Sequence, residues 1–214
     1  MLNRKNIVLR LQMFRHALLL LMLGLFSMNT FAANTLLILG DSLSAGYQLP
    51  ADTIWANRIK QQWQELENPI NVINASISGD TVAQGYARLP EQLKQHQPKW
   101  VLIELGANDG LRGYQPAQIK QQLSELITMI EAHNAIPILM QIYVPPNYGK
   151  RYSDAFIAIY PTLAKERQIS VIPFFLADVI TKPQWMLADG IHPNADAQPF
   201  IAQWMSQHLL PILK

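Results

Sequence analysis

Cysteine is absent from all 214 residues. That excludes disulfides, thiolate metal sites, a cysteine nucleophile and a lipidated N-terminal cysteine. No H-E-x-x-H motif or histidine cluster is present, so a zinc hydrolase has no ligand set to build on. Both phosphate-loop patterns, G-x-x-x-x-G-K-[ST] and G-x-G-x-x-G, are missing as well. Acidic residues are absent from the first 32 positions, and no run of Lys or Arg occurs after them. Only one long apolar run exists, and it lies in that same leading segment.

The leading segment reads differently from the rest. Arg4, Lys5, Arg10 and Arg15 form a basic stretch, followed by about ten apolar residues, Ala17 to Phe26, and by small and polar residues up to Ala33. The apolar run is short for a bilayer span. A basic region, a short apolar region and small residues predict a secretory signal over residues 1–32, cut near Ala32/Ala33. Removing those four basic residues from the 17 Lys+Arg leaves 13 against 15 Asp+Glu, so a formal +2 becomes −2. The remaining 33–214 segment is therefore expected as one domain with no basic face for nucleic acid and no integral membrane segment. A periplasmic or secreted location follows from the signal alone.

From residue 35 onward, short β-rich runs alternate with amphipathic segments. Strands are predicted at Thr35–Leu39, Ile70–Asn74, Trp100–Leu105, Ile136–Tyr143 and Ile169–Phe175, each apolar on both faces as a strand between helix layers should be. Helices are predicted at about 53–67, 80–96, 116–133, 152–168 and 195–210. Pro116 suits a first helical turn, whereas Pro90 and Pro161 are expected to kink or split their segments. This alternation implies an α/β fold, a single-domain three-layer α/β/α arrangement around a parallel five-stranded sheet.

Ligands of such folds bind beyond the carboxyl ends of the strands. The first strand runs into Gly40-Asp41-Ser42-Leu43-Ser44, the second into Asn74 through Gly79-Asp80-Thr81, and the third into Gly106-Ala107-Asn108-Asp109-Gly110. Late in the chain comes Asp189-Gly190-Ile191-His192-Pro193. Of the five histidines, His16 lies in the leader, while His96, His133 and His208 sit at or near helix C-termini, where an imidazole needs no further explanation. His192 sits in a loop with Asp189 three residues earlier, a spacing that lets a carboxylate reach Nδ1 and leaves Nε2 for a hydroxyl. Ser42 is the best hydroxyl available, although it or Ser44 could equally cap a helix. Gly79 could offer a backbone N–H and Asn108 a side-chain N–H₂ to an oxyanion. Each block alone reads as an ordinary turn or cap; their conjunction reads as a serine hydrolase site.

The four blocks, GDSLS at Ser42, SGDT at Gly79, GAND at Asn108 and DGIHP at Asp189–His192, resemble the SGNH (GDSL) hydrolase family over about residues 35–214. The resemblance implies a flavodoxin-like SGNH fold, with Ser42 as nucleophile, His192 as base and Asp189 as the acid that orients it. It also implies an oxyanion hole of Ser42 N–H, Gly79 N–H and the Asn108 side chain, with no metal and no cofactor. Expected substrates are small-molecule fatty-acyl esters and thioesters, lysophospholipids and aryl esters, handled by a monomer. Ala107 departs from the second glycine common in close members.

Leu111, Tyr114, Val144, Pro145, Pro146 and Tyr148, in loops after the third and fourth strands, are candidates for an apolar substrate groove. Ordinary loop packing explains them equally well. A carbohydrate O-acetylesterase with the same constellation, and a catalytically silent periplasmic binding domain of the same fold, remain as alternatives. An α/β-hydrolase elbow is disfavoured, because Ser44 stands where G-x-S-x-G needs glycine.

Overall fold

The computed structural model describes residues 34–214; the signal reading of residues 1–32 lies outside the described residues. Five parallel strands form one sheet, β1 Thr35–Gly40, β2 Asn71–Asn74, β3 Trp100–Glu104, β4 Ile136–Met140 and β5 Ser170–Ile172, in the order β2-β1-β3-β4-β5. Leu36–Leu39, Val101–Ile103 and Ile138–Leu139 have no exposed surface, because helices cover both faces of the central strands. Burying such side chains stabilises the fold by roughly 1.5–3 kcal/mol each.

The helices are α1 Ser42–Ala45, α2 Trp55–Gln62, α3 Val82–His96, α4 Ala107–Leu111, α5 Pro116–Ala132, α6 Lys150–Ile157, α7 Ile159–Arg167, α8 Leu176–Val179 and α9 Gln198–Leu209. α2 packs against α9, while α3 packs against α5 and α5 against α7. The fold class is the predicted three-layer one.

Several element ends differ from the sequence reading. β5 stops at Ile172 because Pro173 follows, which has no N–H to continue the ladder. Its neighbour β4 then ends at Met140, one residue before a last bond from Gln141 N–H to Ile172 C=O. Phe174 and Phe175 are thus released from the sheet. The two prolines behave differently. α3 continues through Pro90, which sits on its exposed side. At Pro161 the predicted helix is split at Ala158, and Gln141 Nε2 donates to the Ile157 carbonyl at 3.2 Å, the acceptor that residue 161 would otherwise serve.

The strand order reverses between β1 and β3, since β1 is followed outward by β2 and β3 by β4. A crevice opens at such a switch point. The residues leaving β1 and β3 therefore face each other across it.

Candidate active site

Gly40 ends β1 and Asp41 caps α1, its Oδ1 accepting the Leu43 N–H at 3.1 Å. Ser42 is the first helical residue rather than the cap, so its own N–H precedes any intrahelical acceptor. No partner for that N–H occurs among the described residues. Ser44, the other serine weighed as a cap, is buried and donates its hydroxyl to Glu104 Oε2 at 2.6 Å.

The Asp189–His192 turn folds onto Ser42 from 150 residues away. Asp189 Oδ1 accepts the N–H groups of Ile191 at 2.9 Å and His192 at 3.0 Å, while Oδ2 meets His192 Nδ1 at 2.7 Å. His192 Nε2 lies 2.8 Å from Ser42 Oγ. Gly190 permits the turn with φ +67°, where a side chain would be strained. Asn194 anchors the turn from behind, donating to Gln184 C=O at 2.8 Å. The Tyr47 ring packs on the imidazole with centroids 4.5 Å apart. The Asp189 carboxyl is held down to about 2, chiefly by the His192 N–H, then by the imidazole and the Ile191 N–H. It is therefore charged throughout the neutral range, as an acid that must orient an imidazole should be.

The loop after β2 approaches from the other side. Gly79 adopts φ +85°, and a Cβ there would touch nothing within 4 Å. Its glycine is thus required by backbone conformation rather than by crowding. The Gly79 N–H has no partner among the described residues, and its carbonyl accepts from Arg112 Nη2 at 3.1 Å. Arg88 of α3 clamps this loop: Nε pairs with Asp80 at 2.7 Å, and its other nitrogens donate to the Ala75 and Gly40 carbonyls. Asp109, from the block after β3, accepts the Val82 N–H at 3.0 Å and so caps α3. Burial raises its pKa. Arg88 escaped the sequence reading, since it carries no motif of its own, and Asp109 stood in the GAND block without a role; only the fold shows what they bind.

Asn108 bridges the two sides. Its Nδ2 donates to Asp80 C=O at 3.0 Å and to Asp41 Oδ2 at 3.1 Å. Both amide hydrogens are therefore engaged in this state.

Beside Ser42 lies a cavity of about 510 Å³. Ser42, Asn108 and His192 line it, together with Ala107, Leu111, Tyr143, Val144, Pro145, Phe174, Leu176 and Ile180. Leu111 and Pro145 stand on its wall. Tyr114 and Tyr148 do not: Tyr148 hydroxyl donates to Leu111 C=O at 2.7 Å and the Tyr114 carbonyl accepts from Tyr152, so both act behind the wall. Ala107 presents its methyl to the cavity. The wall from Phe174 to Ile180 was missed from sequence because residues 169–175 read as strand; Pro173 was the signal against it. Larger hollows elsewhere on the surface hold none of the candidate residues.

Residues 38–198 match the model of the GDSL-like lipase/acylhydrolase family. The chain belongs to that family. It is a serine hydrolase of acyl esters. Over 94% of its length it is 56% identical to thioesterase 1/protease 1/lysophospholipase L1 of Escherichia coli strain K12, covering 95% of that protein. An arylesterase of Vibrio mimicus is 54% identical over 84% of this chain and 90% of its own. Among solved structures, the psychrotrophic esterase EstA from Pseudoalteromonas sp., inhibited by monoethylphosphonate, superposes with a TM-score of 0.82 at 40% identity, covering 84% of this chain and 98% of that one. The matched region, residues 38–198, contains all of the residues that the fold gathers at the β1/β3 crevice.

Proposed function

We propose that this family member is a secreted serine esterase and thioesterase that hydrolyses fatty-acyl substrates, with lysophospholipase and arylesterase-type activity. Ser42 is the nucleophile, His192 the base and Asp189 its orienting acid. The observation that carries this reading is the unbroken relay of 2.7 Å from Asp189 to Nδ1 and 2.8 Å from Nε2 to Ser42 Oγ. A nucleophile needs both contacts, one to lose its proton and one to fix the imidazole. The names of the relatives, a thioesterase/lysophospholipase and an arylesterase, support the substrate range.

Ser42 Oγ attacks the acyl carbonyl as His192 takes its proton. The unpartnered N–H groups of Ser42 and Gly79 receive the oxyanion, and Asn108 joins them by exchanging Asp41 for the oxyanion as acceptor. The exchange costs little, because one anionic oxygen replaces another. His192 then protonates the leaving alcohol or thiol, and water releases the acid by the same route. The apolar wall formed by Tyr143, Val144, Phe174, Leu176 and Ile180 supports an acyl chain rather than a sugar. Residues 1–32 serve as a cleaved signal, the enzyme of residues 33–214 works in the periplasm or outside the cell, and it acts as a monomer.

The test is fluorophosphonate labelling of wild type and Ser42→Ala, beside hydrolysis of p-nitrophenyl acetate and decanoate. Ser42→Ala is expected to abolish labelling and to lose about 10³-fold or more in kcat. Retained labelling rejects Ser42 as nucleophile. A strong preference for acetate over decanoate replaces the fatty-acyl reading with an O-acetylesterase.

A further inference from the structure

Beneath the turn that carries Ser42 lies a second acid, unused in the reaction scheme above. Glu104, the last residue of β3, is fully buried and pairs in register with Gly40 of β1. Glycine leaves the acid its room, since a Cβ on residue 40 would come 2.5 Å from Glu104 Oε2 and 2.9 Å from Ser76 Oγ. That oxygen accepts the Ser44 hydroxyl at 2.6 Å and the Asp41 N–H at 3.4 Å. The two carboxyl groups share one buried pocket, and no donor reaches Glu104 Oε1 among the described residues.

Among the described residues, no cation pairs with either acid. Arg88 spends its guanidinium on Asp80 and on the carbonyls of Ala75 and Gly40. Tyr160, which faces both acids, donates its hydroxyl to Leu105 C=O. His192 is turned toward Asp189 and Ser42. Two unscreened carboxylates in contact repel, and a single proton between them converts repulsion into a hydrogen bond. Burial pushes Glu104 well above its ordinary range, and pushes Asp41 to about 6. With Oε2 already accepting twice, the unpartnered Oε1 is the oxygen left to carry a proton.

We propose that Glu104 is a positioning residue for the hydrolysis: it shares one proton with Asp41, and so lets Asp41 hold Asn108 ready and then release it to the oxyanion. The proposal rests on Ser42 being the nucleophile and Asn108 an oxyanion donor. At rest, the Asp41 carboxylate accepts from Leu43 N–H and from Asn108, and the proton on Glu104 supplies its third donor. When Asn108 turns to the oxyanion, Leu43 and Glu104 still satisfy Asp41. Without the Glu104 proton, Asp41 would be a buried anion with one donor, and it would retain Asn108. Only hydrogen bonds are exchanged; no covalent bond to either acid forms or breaks.

The experiment compares kcat and KM on p-nitrophenyl decanoate for wild type, Ser42→Ala, Asn108→Ala, Glu104→Leu, Glu104→Gln and the Glu104→Leu/Asn108→Ala double variant, with a thermal melt of each. Glu104→Leu fills the site without a donor and is expected to lower kcat roughly tenfold or more with KM within about twofold. Glu104→Gln, whose amide can donate to Asp41, keeps most of the kcat. In the Asn108→Ala background, Glu104→Leu costs nothing further, because it acts through that amide. An equal loss in both backgrounds, a loss confined to KM, or a Gln variant as impaired as Leu overturns the proposal. Should Glu104→Leu fail to fold, Glu104→Met, which also lacks a donor, takes its place and must show the same kcat loss and the same dependence on Asn108. Activity retained in Ser42→Ala defeats the nucleophile itself; inactivity there with an additive cycle defeats only the role of Glu104.

Discussion

Asp41 and Asp189 both lie near Ser42, and each holds a side chain of the proposed site, Asn108 in one case and His192 in the other. Their environments push them in opposite directions. The Asp189 side chain is 37% exposed, receives two backbone N–H bonds besides the imidazole, and is held at about 2. Asp41 is 1% exposed, and burial outweighs its hydrogen bonds and raises it to about 6. Access to water, more than the number of donors, separates the two. The outer aspartate is a permanent charge that orients an imidazole. The inner one is buried beside Glu104, and one proton between them, as proposed above, suits it to holding a neutral amide and letting it go.

The largest effect is expected of Asp189→Asn. If Asp189 acts through its charge and its hold on the imidazole, kcat should fall by about 10³–10⁴-fold with the melting temperature little changed. A loss below tenfold removes Asp189 from the triad.

A smaller effect appears in stability against pH. Asp41 and Glu104 have folded-state pKa values above their ordinary ones, so the folded protein binds protons that the unfolded chain has released. Their charge penalises folding at neutral pH, and the penalty fades as pH falls through about 6 toward 4. The melting temperature of wild type should thus rise by a few degrees, about 3–6 °C, between pH 8 and pH 5, and Glu104→Gln should flatten that rise. A melting temperature that falls across this window would reject the buried pair as described.

The smallest effect concerns Asp189 again. Its pKa is lowered, so its contribution is complete above the unfolded value of 3.8 and is lost only as pH drops through about 2. Asp189→Asn should therefore leave the pH 5–8 slope of the melting temperature as it is in wild type. A changed slope would mean that Asp189 is coupled to a group that titrates within that window.

Most of this molecule is legible in its sequence because local chemistry decides it. The strands were readable because each is a run of apolar side chains, and a parallel strand covered on both faces needs little else. Ser42, Gly79, Asn108, Asp189 and His192 were readable because each lies in a short polar block where an apolar run stops. Glu104 was not. It closes the run Trp100–Glu104, and whether such an acid points to water or into the interior depends on what stands opposite. The wall from Phe174 to Ile180 was hidden for a related reason, since the residues after Pro173 read equally well as strand.

The sequence by itself determined the alternation of strands and helices, the order of the four blocks and the nearness of Asp189 to His192, all of which follow from short-range spacing. Tertiary structure alone decided the 2.8 Å contact between His192 and Ser42, 150 residues apart. It also decided the burial of Glu104 against Gly40, and the engagement of Asn108 by Asp41 and Asp80. Those contacts depend on which strand ends the sheet order places side by side, and on how much water the packed helices exclude from them.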